Sequence, residues 1–444
     1  MSLSFAISLR HARYCMLMTA LCILVVLRNV LGVPIPLMSF LAAGVILCVL
    51  CDEEEIVAFI CSIAPFEMTF QYRYMLLIGA VGLVIKSRRH SLKNILPIIC
   101  MLVWELLHFM GGDFVAFEII REFSVLITLG IILAEKPKDY SDGLPMRSLA
   151  LTTLFSCLIT VIVNRRLTGY SIASGDRLGS TYELAESFNA LLNPNTGAFL
   201  CVLSICGLVL LQRNKNKRKM DISIIVLLSL LIVLFQSKSA MISLFFAVTI
   251  YLYANNRNWI IPTFKVLGII LLITVVVFVF FREAVMGFIM RFMVGDISTG
   301  RIGIFKFYHD YLLSDWENIL FGVGLFGYST RIARQFSVGT LAISGAVTYV
   351  DNRMILVVSH NNVQEVILTW GIPGLVLMVW LLYKIIKHKR MNRNILHYLA
   401  FDYILLFTLQ GQLLSSNVAL IGLIFSMVCM EYENNTQTPG LLNV

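Results

Sequence analysis

Between Arg13 and Arg28, between Asp221 and Lys238, and between Glu365 and Lys384 the chain runs for whole helical lengths without a charged residue. A bilayer's hydrocarbon core is about 30 Å thick and takes roughly 20 apolar residues per helical crossing. Runs of this kind recur to the last fifth of the sequence. Lipid offers no partner to a backbone N–H or C=O, so only helices or closed barrels cross it. The alternating short segments of a barrel are absent. The expectation is an all-α polytopic membrane protein with about 12 to 14 transmembrane helices. The composition agrees: of 444 residues 58% are hydrophobic and 14% charged, and mean hydropathy is +0.84, outside the soluble globular range.

Spans are expected near residues 13–31, 33–50, 55–67, 71–86, 92–109, 115–134 and 148–164, then 196–211, 221–235, 239–254, 259–281, 361–383, 396–412 and 414–430. Arg10 and Arg13 precede the first run as in a signal peptide, but no small-residue cleavage site follows, so a retained helix is expected. Basic residues collect in cytoplasmic loops. The N-terminus, the clusters at 86–93, 135–147, 212–219 and 384–393, and the loop with Arg257 and Lys265 hold 21 of the 35 Lys and Arg residues. All of them fall on one side of this map, with both termini cytoplasmic. Residues 165–195 and 282–360 then face outward. In the longer segment, Ile304, Phe305, Tyr308, Tyr311 and Leu312 fall near helical spacing and suggest an amphipathic helix in the interface.

The ten cysteines sit mostly in apolar segments, where a thiol packs as a small hydrophobe. Cys48 and Cys51 form one C-x-x-C without a second pair at zinc spacing, and are read as helix-packing residues. There is no P-loop motif and no acidic cluster with metal spacing on the outer face, so neither a metal nor another cofactor is expected. The net charge of +9 follows the membrane topology, and no nucleic-acid partner is expected.

Basic residues away from the cytoplasmic loops are the informative ones, because the membrane makes them costly. Arg177, Lys238 and Arg301 stand at or near outer membrane edges on this map, and His360 lies on the same side. Arg binds phosphate in bidentate fashion and Lys adds a point charge, so the three cations suit a diphosphate leaving group. An imidazole can take the proton of an attacking hydroxyl. The plainer readings are that such cations snorkel to headgroups, that Ser359 or Asn361 caps the next helix, and that "NPN" at 193–195 is a cap with Pro194 at the first helical position. Glu118, Arg121 and Glu122 read as a local ion pair, and His108 as structural.

"HN", nine residues, then "GIPG" (His360, Asn361, Gly371, Gly374) resembles the H-[NSQ]-x9-G-x2-G signature of the bacterial O-antigen ligase and polymerase superfamily. The segment from Arg301 through Asn318, Gly322 and Gly324 is similar to the family's Arg-containing segment and its glycine turn. "RLGSTYELAESFNALLNPN" resembles its R-x-G … N-P-N segment, and "QSKSAMISL" its T-x-S-R segment, with Lys238 where the family has Arg. The likeness covers roughly residues 175 to 375. It implies a membrane glycosyltransferase of GT-C-like architecture, with His360 as catalytic base or acceptor-positioning group and Arg301, Arg177 and Lys238 on the donor's diphosphate. Asn361, Gly322, Gly324, Gly371 and Gly374 would support them, the last two by close helix packing. The implied donor is an undecaprenyl-diphosphate-linked glycan and the acceptor another lipid-linked glycan, as in a polymerase, or lipid A core, as in a ligase. A chain-length regulator is a further implied partner. A lipid-linked oligosaccharide transporter is the alternative of another class; it would carry its charges through the spans near the midplane.

Overall fold

The computed structural model describes residues 11–66, 72–87, 92–109, 116–134, 143–168, 178, 194–213, 219–237, 301–324, 347–350, 353–356, 361–388 and 418–437, with isolated positions between 240 and 336. Within these residues the chain is helical apart from one hairpin. The first half holds α1 (Ala12–Asn29), α2 (Leu37–Leu50), α3 (Glu53–Ser62), α4 (Tyr72–Lys86), α5 (Leu92–Phe109), α6 (Ala116–Ala134) and α7 (Leu144–Thr168). It continues with α8 (Pro194–Arg213), α9 (Lys219–Phe235), α10 (Arg301–Ser314), the short α11 (Trp316–Leu320), α12 (Asn362–His388) and α13 (Val418–Gln437). Four of them, α1, α7, α8 and α12, are long and apolar enough to cross a membrane. The protein is a membrane protein that is mainly α-helical among the described residues. The expected spans at 239–254, 259–281 and 396–412 lie outside the described residues, apart from isolated positions.

α3 departs from expectation. Its ten residues rise about 15 Å, half a bilayer, and all from Glu54 to Ser62 are buried. Its start is a capping box: Asp52 Oδ1 accepts from Glu55 N at 3.2 Å, and Asp52 N donates to Glu55 Oε2 at 3.0 Å. The other oxygen of Glu55 meets His11 Nδ1 at 3.0 Å, tying the start of α1 to the start of α3. α2 and α4 approach closely where Gly82 leaves no side chain in the way of Cys48, so that C-x-x-C cysteine does pack between helices.

Connections of two to nine residues join α1 through α7 and α8 to α9. Those of two to six residues are too short to run back along the helices they join, so those helices alternate in direction. Bonds between helix ends agree. Tyr14 bonds Ser148 near the starts of α1 and α7, while Arg166 Nη1 donates to Val30 O at 2.7 Å beyond the C-terminal end of α1. Lys86 Nζ donates to Val49 O at 2.9 Å, joining the ends of α4 and α2. One end of the bundle thus holds Arg13, Lys86, Lys93, Arg147 and Lys219, all from the basic clusters. At this end Arg147 and Asp221 form a buried two-point pair, with Nε to Oδ1 at 3.3 Å and Nη2 to Oδ2 at 3.1 Å, and Gln212 Nε2 adds 3.2 Å to Oδ2. The opposite end holds the C-termini of α1, α5, α7 and α9 and the N-terminus of α8.

α10 forms where the amphipathic helix was expected, but its apolar face turns inward. Ile304, Phe307, Tyr308, Tyr311 and Leu312 are buried in a second core with Val323, Ile332 and Leu368. Phe305, placed on that face by spacing, is 42% exposed, and Phe307 takes its place. The long segment expected as a loop also contains a two-stranded antiparallel hairpin, β1 (Val347–Val350) and β2 (Arg353–Leu356), in which Val350 pairs with Arg353 around Asp351-Asn352. Apolar β-formers on both sides of a two-residue Asp-Asn link are the signal for it.

Candidate functional site

α12 starts as the sequence suggests. Asn361 Oδ1 accepts from Val363 N and Gln364 N, both at 3.1 Å, which caps the helix immediately after His360. The helix does not continue regularly. Gly371 has φ +66° and ψ −163°, a conformation closed to residues with a Cβ, and Pro373 has no N–H to give to the carbonyl four residues back. The carbonyls of Leu368, Thr369 and Trp370 are the ones a straight helix would have bonded to residues 372, 373 and 374. Each accepts from outside the helix: Val323 N to Leu368 O at 2.8 Å, Gly324 N to Thr369 O at 2.7 Å, and Trp104 Nε1 to Trp370 O at 2.9 Å.

The two glycine motifs are therefore halves of one backbone interlock. Gly322 and Gly324 have φ of +71° and +77°. A Cβ on Gly322 would stand 2.6 Å from the Thr369 carbonyl, and one on Gly371 would stand 2.7 Å from Phe321 N. The sequence reading gave Gly371 to close helix packing; its neighbours are the backbone of Leu320, which ends α11, and of Phe321, which enters the glycine turn. Gly374 lies one turn beyond Trp370, and a Cβ there would run into that indole. Asn318 supports the turn by donating from Nδ2 to Tyr311 O at 3.1 Å, while Tyr311 Oη donates to its Oδ1 at 3.2 Å.

A second contact joins the same two segments nearer the starts of α10 and α12. Gln364 Nε2 donates to Phe305 O at 3.0 Å. Phe305 is one turn after Arg301, the first residue of α10, and Gln364 is one turn after His360. The N-terminal ends of α10 and α12 are thus brought together, each with the positive end of its dipole. The side chain of Arg301, and His360 as a whole, lie outside the described residues.

The other two cationic segments meet at the same end of the bundle. Leu178 N, next to Arg177, donates to Leu234 O at 3.0 Å at the end of α9. Ser237, next to Lys238, donates from Oγ to Asn195 Oδ1 at 3.2 Å at the start of α8. Pro194 is the first residue of α8, as the "NPN" reading expects. Between them Gln236 is buried with φ +50°, unusual for a residue other than glycine. Arg177 and Lys238 lie outside the described residues, as do the side chains of Glu118, Arg121 and Glu122.

α5 supplies three residues that the sequence reading passed over or left structural. Trp104 stacks on Phe321 with centroids 6.4 Å apart, besides its bond to Trp370 O. His108 Nε2 donates to Phe321 O at 2.7 Å. Glu105 is 1% exposed and accepts from Trp370 Nε1 at 2.5 Å. A carboxyl inside an otherwise apolar run was the available signal. No protein-family model matches the chain, and no curated protein matches it.

Proposed function

We propose that the protein is a membrane glycosyltransferase that polymerises glycan repeat units from an undecaprenyl-diphosphate-linked donor on the outer face of a bacterial inner membrane. The observation that carries this reading is the joining of the Arg301 helix to the helix following His360, by the Phe305–Gln364 bond and the glycine interlock. Two helix N-termini then flank one region, a setting that favours an anion, and the motifs of the resemblance fall on its two sides. The ends of α8 and α9, which carry the neighbours of Arg177 and Lys238, lie at the same end of the bundle. The basic clusters at the opposite end support a cytoplasmic location for that end.

In this reaction the acceptor hydroxyl oxygen attacks the anomeric carbon of the donor sugar. The new C–O bond replaces the bond to the diphosphate, and undecaprenyl diphosphate leaves with the electron pair. His360 takes the hydroxyl proton. Arg301, Arg177 and Lys238, with the helix ends, meet the charge that gathers on the leaving diphosphate. No reaction step requires a metal.

The test is His360→Ala and Arg301→Ala in the native host, with surface glycan resolved on a gel and membrane insertion checked by blot. A polymerase predicts loss of the ladder with single repeats still attached to their anchor. If all attached glycan disappears and lipid-linked polymer accumulates, the chain is a ligase acting on lipid A core. An unchanged ladder with inserted variants ends the catalytic proposal.

A further inference from the structure

The resemblance covers only residues 175 to 375, yet the kink near the end of that range is held by a helix far outside it. On α5, Trp104, Glu105 and His108 all bond the interlock: Trp104 Nε1 to Trp370 O, Glu105 Oε2 to Trp370 Nε1, and His108 Nε2 to Phe321 O. Trp370 is the pivot. It is fully buried, stacks on Phe123 of α6 with centroids 6.3 Å apart, and immediately precedes Gly371, where the helix breaks. Fixing the indole at Nε1 and the backbone at the carbonyl sets the position of that residue from both sides. A carboxyl buried in an apolar helix is expensive, and it persists where its bonds are needed. A break set wrongly would move the glycine turn and the start of α12, and a misplacement of about 1 Å at a reacting group can cost a hundredfold in rate.

We propose that Glu105 is a positioning residue for the transfer reaction, acting through Trp370 to hold the glycine interlock in its working register. This rests on the glycosyltransferase reading above. The role requires an acceptor of the right length and no proton transfer, so Gln serves where Leu does not.

The experiment uses the full chain in lipid nanodiscs, with lipid-linked glycan extracted from the host membrane as donor and release of undecaprenyl diphosphate as readout. Glu105→Leu and Trp370→Phe remove one hydrogen bond from its two ends. Each should lower kcat about tenfold with little change in KM for the donor and an unfolding midpoint close to wild type. The double variant should be no worse than the poorer single, since both remove the same bond. Glu105→Gln should stay within about threefold of wild type. Wild-type kcat in Glu105→Leu, losses that multiply in the double variant, or a Gln variant as damaged as the Leu one would each overturn the proposal. A readout independent of turnover guards against variants that fail to fold: amide exchange at Val323 and Gly324, which bond the carbonyls before the break, should speed up in Glu105→Leu and stay as in wild type in Glu105→Gln. Exchange there that Glu105→Leu leaves unchanged overturns the bracing, whatever the activity. Normal transfer by His360→Ala and Arg301→Ala, with the exchange response present, would instead refute the function and leave the bracing standing.

Discussion

Gly371→Ala should open the interlock, and the structure sets the size of the effect. At φ +66° and ψ −163° the residue lies in a region nearly exclusive to glycine, where a Cβ costs on the order of 1–3 kcal/mol. The added methyl would also meet the backbone of Leu320 and Phe321, neither of which can rotate away. Relief by undocking the turn forfeits the bonds from Val323 N and Gly324 N, each worth about 1 kcal/mol net. Those bonds are forfeited on undocking in the wild type too, so the strain alone sets the change: about 2 kcal/mol, or roughly thirtyfold in the docked-to-undocked ratio at about 1.4 kcal/mol per decade. Hydrogen exchange read by mass spectrometry reports this directly at the amides of Val323 and Gly324. Protection there should fall roughly thirtyfold in Gly371→Ala, while Gly268→Ala, where a Cβ meets nothing within 4 Å, should leave it unchanged. Unaltered protection of those two amides in Gly371→Ala would refute the interlock.

Asp221→Ala should cost about 3–5 kcal/mol of stability, because it leaves the Arg147 guanidinium buried opposite no carboxylate; replacing both by apolar residues should recover most of it, as thermal unfolding in detergent would show. Asn361→Ala removes the acceptor for two amides at the start of α12 and should cost about 1 kcal/mol, seen as faster exchange at Val363 and Gln364. Asp52→Ala should destabilise the buried helix α3 by a similar amount, and Asp52→Asn should restore most of it. A cysteine at Ser344 should label with an impermeant thiol reagent from the outer face; labelling from the cytoplasmic face alone would reverse the proposed orientation.

The positions of the described helices were legible in hydropathy, since lipid requires each segment to satisfy its own backbone and so makes the pattern local. Local signals also placed Asn361 as a cap and Pro194 as a helix start. Charge counting grouped Lys86, Lys93, Arg147 and Lys219, and helix alternation places them at one end. Phe305 was misplaced because a helical stripe of this width has two plausible centres, and the contact with Val323 and Leu368 selects between them. α3 was expected as a span because apolar content does not report whether a helix faces lipid or other helices.

What the sequence determined by itself is the set of short-range requirements: apolar runs long enough for helices, caps, and glycines where the backbone needs positive φ. The tertiary structure decided how those requirements meet. Pro373 and Gly371 announce a break in α12, but nothing near them says that the carbonyls of Leu368, Thr369 and Trp370 accept from Val323, Gly324 and Trp104. Glu105 and Trp370 are 265 positions apart, and only the packing of α5 against α12 makes one the acceptor of the other. A hydrogen bond requires its partners within about 3 Å and aligned, a condition on space that spacing along the chain does not express.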